Sequence, residues 1–328
     1  MTYTYRLIQP NEEAAAIAFW SALFDCDHDE MYAEYATDPD RFSHTYLAID
    51  SDGRMCATAS YCVRSIRDID GGLQRTGCVW NVATEPHAQR QGLATRLMRM
   101  TIDAMIAEGC TWSLVFTSPA GQRMYSHLGY TSVDVPRWGG TLKRCFVQNN
   151  TYIVRPYDPR VELNGWEHLA DIYLSYNVHR PLTTFRDRRY WTTGYAHHRY
   201  TLWLSQQKAI FAAFSRKDQG SPIGYISVDF DDTFQIFELG VMQGHDEARM
   251  SLIDTTIQAA LQKGYSNGRI WLPHDPESEN IVNHFLADMP QQDHEAYLMA
   301  RALSPTMTAK LESTVTAPHA MQWMIDNF

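Results

Sequence analysis

A chain of 328 residues is too long for one typical domain and suits two of ordinary size, each able to bury its own core. Apolar residues at 45% and charged residues at 20% are globular values and exclude wholesale disorder. A net charge of -10 leaves no basic surplus to displace counterions from nucleic acid, so a nucleic-acid partner is excluded while a cationic one is compatible.

Residues 3–8 read as a first strand, and residues 12–24 as a helix that starts after Pro10-Asn11. A second short helix is expected at 29–36, stopping before Pro39. Residues 45–49 and 55–63 form a hairpin around Asp50-Ser51-Asp52-Gly53, and Gly71-Gly72 makes the next turn. The strand at 73–84 then meets Pro86 and a polar turn, which opens at Gly92 into an amphipathic helix reaching Glu108. Free backbone N–H groups and the positive end of the helix dipole point into such a turn, which suits it to a phosphate or pyrophosphate. The Walker loop and the three-glycine dinucleotide fingerprint are both missing here. Gln89, Arg90, Gln91, Gly92, Leu93, Ala94 and Thr95 are the binding candidates, and the Arg90 side chain can pair with a phosphate.

A strand follows at 112–116, then a helix at 119–128 stopped by Gly129, and a strand at 142–147 that closes the first sheet. The polar run Gln148-Asn149-Asn150 reads as a linker. Beyond it the pattern restarts, with a strand at 152–156, a helix at 165–176, and strands at 199–204, 209–215, 223–230 and 234–241. An offset of 155 lays residues 94–109 on 249–264, with Leu97 on Leu252, Ile102 on Ile257 and Gly109 on Gly264. Two copies of one fold are therefore expected. In the second copy Gly92 becomes Glu247, Ala94 becomes Arg249 and Tyr125 becomes Asn280, so a phosphate would meet a carboxylate and larger side chains. Residues 304–328 form a tail, with a short helix expected at 318–328 carrying Met321, Trp323, Met324, Ile325 and Phe328 on its apolar face.

The six cysteines all fall in the first half without Cys-x-x-Cys spacing and read as buried thiols in a reducing compartment. His197-His198 and residues 26–30 lack a metal-ligand spacing, so no metal is expected. The N-terminus lacks a basic region followed by an apolar core, and no stretch approaches the ~20 apolar residues of a span. The expectation is a soluble, cytoplasmic protein with no membrane partner; homo-oligomerisation stays open.

Gln89-Arg90-Gln91-Gly92-Leu93-Ala94, preceded by Pro86, resembles the acyl-CoA loop of the GNAT acetyltransferase superfamily, Gln/Arg-x-x-Gly-x-Gly/Ala. Residues 120–130, with Tyr125 and the closing Gly129-Tyr130, resemble that superfamily's helix ending in Tyr-x-x-x-Gly-Phe/Tyr. The resemblance covers residues 3–147. It implies an α/β (α+β) protein of two tandem GNAT folds, each a mixed, mostly antiparallel sheet flanked by helices: a catalytic copy at 1–147, a degenerate copy at 151–303 and the tail at 304–328.

The resemblance further implies acetyl-CoA as co-substrate. The backbone of Val82, Ala83 and Thr84 would face pantetheine and the thioester oxygen, and Tyr125 would touch the coenzyme and protonate its departing thiolate. The general base stays open between three groups. Glu85 ends the strand but equally reads as a solvated carboxylate, and Glu238 interrupts an apolar strand of the second copy. A narrower resemblance, to the mycobacterial enhanced-intracellular-survival aminoglycoside acetyltransferases, implies the carboxylate of Phe328; the chain is too short for their third domain. His87 and His127 read as surface side chains. The expected activity is direct acetyl transfer to a small cationic primary amine, such as an aminoglycoside-like antibiotic, a polyamine or an amino acid, in a closed, carboxylate-lined cavity. The alternatives are a protein lysine or N-terminal acetyltransferase, with an open groove beside Tyr125, and a noncatalytic acyl-CoA sensor.

Overall fold

A computed structural model describes residues 2–135, 137–145, 151–206, 208–273, 275–292, 297–323 and 326. The first half runs β1 (Thr4–Leu7), α1 (Glu13–Phe24), α2 (His28–Tyr35), α3 (Arg41–His44), β2 (Thr45–Ile49), β3 (Met55–Arg67), β4 (Leu73–Thr84), α4 (Leu93–Ala107), β5 (Trp112–Thr117), α5 (Pro119–His127), β6 (Thr131–Val133) and β7 (Trp138–Leu142). The second runs β8 (Tyr152–Pro156), α6 (Gly165–Asn177), α7 (Arg188–Thr192), α8 (Tyr195–Leu204), β9 (Lys208–Ser215), β10 (Gly224–Asp229), β11 (Phe234–Val241), α9 (Ala248–Gln262), β12 (Asn267–Ile270), α10 (Pro276–Phe285), β13 (Leu286–Gln292), β14 (Tyr297–Ala302) and α11 (Thr308–Val315). The elements α4 and α9 are offset by the 155 residues of the repeat at both ends.

Two seven-stranded sheets result, in the orders β1-β2-β3-β4-β5-β14-β6 and β13-β7-β12-β11-β10-β9-β8. Their ladders are antiparallel except for β4 with β5 and β11 with β12, so each is a mixed sheet built on the same plan. The halves exchange strands. β7 follows the first copy in the chain yet pairs between β12 and β13 of the second sheet, and β14 returns from the second half to lie between β5 and β6 of the first. The expectation that residues 142–147 close the first sheet is thus corrected: the strand lies at Trp138–Leu142 and belongs to the other sheet, and residues 146–150 lie outside the described residues.

On one face of the first sheet α4 buries Leu93, Leu97, Met98, Ile102 and Met105 against Ala57, Ala59 and Tyr61 of β3. On the other, Trp20 of α1 and Tyr35 of α2 pack on Leu47, Trp80 and Ala83. Strand alternation makes this division, since side chains two apart share a face. Residues 182–185 run beside the far end of β3, with Arg67 N donating to Thr183 O at 2.9 Å and Phe185 N to Ser65 O at 2.8 Å. The two copies therefore meet through backbone hydrogen bonds as well as through the exchanged strands.

Two further expectations are corrected. Residues 199–204 are helical, being the end of α8, whose buried Ala196, Tyr200 and Trp203 recur at helical spacing. The tail carries a helix, α11, at 308–315, packed on the first half; of the expected helix, Met324, Ile325 and Phe328 lie outside the described residues, and residues 321–323 run without regular structure into the second core. There Met321 and Trp323 are fully buried, and Trp323 Nε1 donates to Asn177 Oδ1 at 2.9 Å.

Candidate active site

The parallel ladder between β4 and β5 covers only Thr76–Val79 against Trp112–Val115. Beyond Val79, β4 continues to Thr84 along β3 alone while β5 follows β14, so a wedge opens between them. The register of β3 on β4 also shifts there, with Ser60 opposite Trp80 and Thr58 opposite Ala83. Asn81 and Val82 thus oppose Ala59 alone, which is a bulge, and Asn81 takes the left-handed φ of 50° that asparagine tolerates better than most residues. Thr58 Oγ1 donates to Asn81 O at 2.7 Å and pins it. Val82, Ala83 and Thr84 lie on the part of β4 beyond that ladder, at the edge of the wedge.

From Thr84 the chain passes Glu85 and a short 3-10 turn at Pro86–Ala88 to the loop. Arg90 adopts φ 61° and Gly92 φ 79°, and no side chain caps α4. Arg96 N, donating to Gly92 O at 3.0 Å, is the first amide of the helix with an acceptor. Among the described residues the N–H groups of Arg90, Gln91, Gly92, Leu93, Ala94 and Thr95 have none. The loop's shape is held by its own side chains: Gln89 Nε2 donates to Thr84 O and Gln91 Nε2 to His87 O, both at 3.3 Å, and Tyr3 Oη donates to Gln91 Oε1 at 3.0 Å. The Arg90 guanidinium is exposed and bonds no described residue. Six consecutive unpaired amides beside a free guanidinium at a helix N-terminus fit a pyrophosphate.

Tyr125 lies on α5, edge-on to Tyr130 with ring centroids 5.6 Å apart. The ring is 4% exposed, and its hydroxyl makes no hydrogen bond to a described residue. Burial, with Tyr130 adding to it, pushes the phenol well above its ordinary range, so it is held protonated and able to donate. Gly121 lets α5 start close to β5, since a Cβ there would collide with Thr117 Oγ1.

The candidate bases are not brought together. Glu85, half-exposed at the end of β4, sits 4.0 Å from His87 Nδ1. His127 is exposed and bonds Arg123 O at 2.7 Å. Glu238 is fully buried and both of its oxygens are taken: Arg186 Nη1 and Nη2 donate at 2.9 and 2.6 Å, Tyr200 Oη donates at 2.9 Å, and Tyr225 Oη donates as well. Arg186 also binds Asp326, whose carbonyl accepts from Arg64 of β3 at 2.9 Å. Glu238 is thus part of a buried charge cluster that ties the tail to both halves. Phe328 lies outside the described residues.

In the second copy the loop takes another shape. Glu247 is right-handed, and the amides of Ala248 and Arg249 are satisfied by His245 O and Asp246 O at 2.9 and 3.1 Å. The Arg249 side chain is buried between Asp246 and Glu277, and Asn280 is exposed. An amide cradle like that of the first copy is absent among these residues.

A cavity of about 280 Å³ lies between the halves, against the face of β3 opposite α4. Asp38, Cys62 and Arg64 line it from the first half, and Asp187, Arg189 and Tyr195 from the second. His44 Nδ1 contacts Asp38 at 2.8 Å, and Arg64 lies 4.1 Å over the Tyr195 ring. Arg189 is exposed and its guanidinium bonds no described residue. Sequence reasoning missed this cavity, because its walls come from segments far apart in the chain. Among the described residues no helix is long and apolar enough to cross a membrane.

A splayed parallel strand pair thus leads into a helix opened by unpaired amides, an arrangement suited to a nucleotide's pyrophosphate. The acetyltransferase (GNAT) domain model matches residues 4–133, the extent of the first copy, and the whole chain shares the fold of solved tandem GNAT proteins. GNAT proteins use acetyl-CoA as co-substrate. Among solved structures the chain is similar to a probable N-acyltransferase from Enterococcus faecalis V583, at TM-score 0.71 and 16% identity over 94% of this chain and 75% of that one. It is similar also to Eis1 from Mycobacterium abscessus, at 0.63 and 15% over 92% and 74%. A tandem GNAT protein from the clavulanic acid biosynthesis pathway matches at 0.58 and 12% over 93% and 99%. Comparison with curated proteins by sequence finds no match.

Proposed function

We propose that the first copy transfers the acetyl group of acetyl-CoA to a small primary amine held between the two halves. The observation that carries this reading is the run of unpaired amides from Arg90 to Thr95 beside the wedge at Val82–Thr84. The nitrogen of the neutral amine attacks the thioester carbon; the C–N bond forms, and the charge that grows on oxygen meets backbone N–H donors at the edge of β4. One such donor is commonly worth ~3 kcal/mol. The C–S bond then breaks and Tyr125 gives its proton to the thiolate, while Glu85 at the strand end takes the proton of the amine.

The cavity supports an acceptor that carries an anionic group besides its amine. Its walls hold Asp38 and Asp187 but also Arg64 and Arg189, and the unpaired Arg189 repels a polycation, opposing the attraction of Asp187. Cys62 in its wall faces Cys78 of β4, four residues before Val82, or roughly 13 Å at ~3.3 Å per residue. An acceptor anchored there has to be extended, with the reacting amine at its far end. Of the expected classes, an amino acid with a terminal side-chain amine fits better than a polyamine or an aminoglycoside.

A thiol-release assay with acetyl-CoA against lysine- and ornithine-like amino acids, polyamines and aminoglycosides tests this. The expected result is preferred turnover of the amino acids, and Arg189→Ala raising their KM about tenfold with the KM for acetyl-CoA unchanged. Preferred turnover of polyamines, or a silent Arg189→Ala, overturns the acceptor assignment. Coenzyme binding with no thiol released from any amine favours the noncatalytic alternative.

A further inference from the structure

Cys62 and Cys78 are direct register partners across β3 and β4. Such partners stand ~4.5–5.5 Å apart at Cα, inside the ~4.4–6.8 Å that a disulfide spans, and their side chains leave the same face of the sheet. Among the described residues no other two cysteines are register partners. Cys78 is wholly buried, whereas Cys62 is 9% exposed and opens into the cavity between the halves. A small solute that enters the cavity therefore meets one sulfur of the pair, with the second behind it.

We propose that Cys62 and Cys78 form a redox site in which a small peroxide reaching the cavity oxidises Cys62, and Cys78 then closes a cross-strand disulfide. The Cys62 thiolate attacks a peroxide oxygen; the O–O bond breaks, sulfur is oxidised to the sulfenic acid and the other oxygen leaves as hydroxide. The Cys78 thiol then attacks the sulfenic sulfur, the S–S bond forms and water leaves. Peroxide is the only oxidant required.

The surroundings divide the roles. Contact with the Cys78 thiol, and the nearby Arg64, hold Cys62 below the ordinary thiol range against the opposing effects of burial and of Asp38. Burial pushes Cys78 up, so it remains a thiol until its partner is oxidised. Tyr190, Tyr195 and Asp326 also lie around the pair, and Asp187 and Arg189 line the same cavity, with His44 behind Asp38. Burial shifts Cys26, Cys56 and Cys110 upward, in the last two despite Arg54 and Arg75 nearby, and none of the three has a cysteine opposite it. The site stands whatever the cavity binds as a substrate.

The test is peroxide titration of the whole chain with peptide mapping, in which fragmentation separates Cys62 from Cys56 on their shared tryptic peptide. Two of the six thiols should be lost first, with a mass decrease of two hydrogens and a link between Cys62 and Cys78. Iodoacetamide at pH 7 should label Cys62 about tenfold faster than Cys26, as expected where one thiol is held as thiolate. In Cys78→Ala a 1,3-diketone probe should trap a sulfenic acid on Cys62, and in Cys62→Ala residue Cys78 should stay reduced. Earlier oxidation of Cys26 or Cys145 with Cys62 and Cys78 left as thiols overturns the proposal. The wild-type mapping decides this even where a variant does not fold.

Discussion

Gly92→Ala separates the backbone's demand from the ligand's. Gly92 opens α4 at φ 79° and Gly109 follows its end at φ 81°, and a Cβ at either position would meet nothing within 4 Å. Substituting alanine therefore costs only the left-handed conformation, ~1–2 kcal/mol at each site. Gly109→Ala thus serves as a control on the same helix, with the same backbone penalty and no amide cradle. At Gly92 the chain can relieve the strain only by shifting φ, which moves the unpaired amides from Arg90 to Thr95. Losing one hydrogen bond to a charged phosphate costs ~1.5–3 kcal/mol, or about 10- to 100-fold in affinity. Urea denaturation should show both variants less stable by about 1–2 kcal/mol, and calorimetry with coenzyme A should show only Gly92→Ala binding at least tenfold more weakly. Equal loss of coenzyme affinity in the two variants, or unchanged affinity in a destabilised Gly92→Ala, would refute the reasoning.

Tyr125→Phe should lower kcat about 100-fold with little change in the KM for acetyl-CoA, since the hydroxyl holds no structural hydrogen bond; because burial raises its pKa, the wild-type rate should show no loss of this acid as pH rises to 10, checked by a pH profile. Glu238→Gln leaves the buried Arg186 short of one charge and should cost about 3 kcal/mol in a denaturant melt; a large fall in kcat at unchanged stability would instead make Glu238 a base. His44 is buried between Asp38 at 2.8 Å and Glu108 at 3.2 Å, and although burial opposes it, these carboxylates raise its pKa. A group raised in the folded state stabilises fully below its unfolded pKa of ~6.5 and loses that contribution as pH climbs through the folded value. His44→Gln should therefore destabilise more at pH 5.5 than at pH 9 in matched urea melts, and an equal loss at both would contradict the assignment.

The parts of the site that follow from local chemistry were legible in the residues. The strand, proline turn and glycine at 84–92 set the loop, apolar spacing placed α4 within a residue of its ends, and the repeat offset pointed to its copy α9 to within two. Residues 199–204 misled because a six-residue window rich in tyrosine, threonine and tryptophan reads as a strand, whereas the helical spacing begins earlier, at Ala196. Glu238 looked like a free carboxylate in an apolar strand; its partner Arg186 is 52 residues away, and no local pattern announces that pairing. The bulge had a signal that went unread, an asparagine within the strand that leads to the loop. The exchange of β7 and β14 had none, because the hydrogen-bond partners of a strand lie outside its own segment.

That exchange has a consequence for the copy that lacks the amide cradle. β6 joins the first sheet only through β14, so a fragment ending before residue 138 would present bare edges on β5 and β6, open to self-association. Each half carries the piece that completes its neighbour. The second half supplies the strand that lies between β5 and β6 of the first sheet, and so templates its neighbour's fold much as a chaperone would.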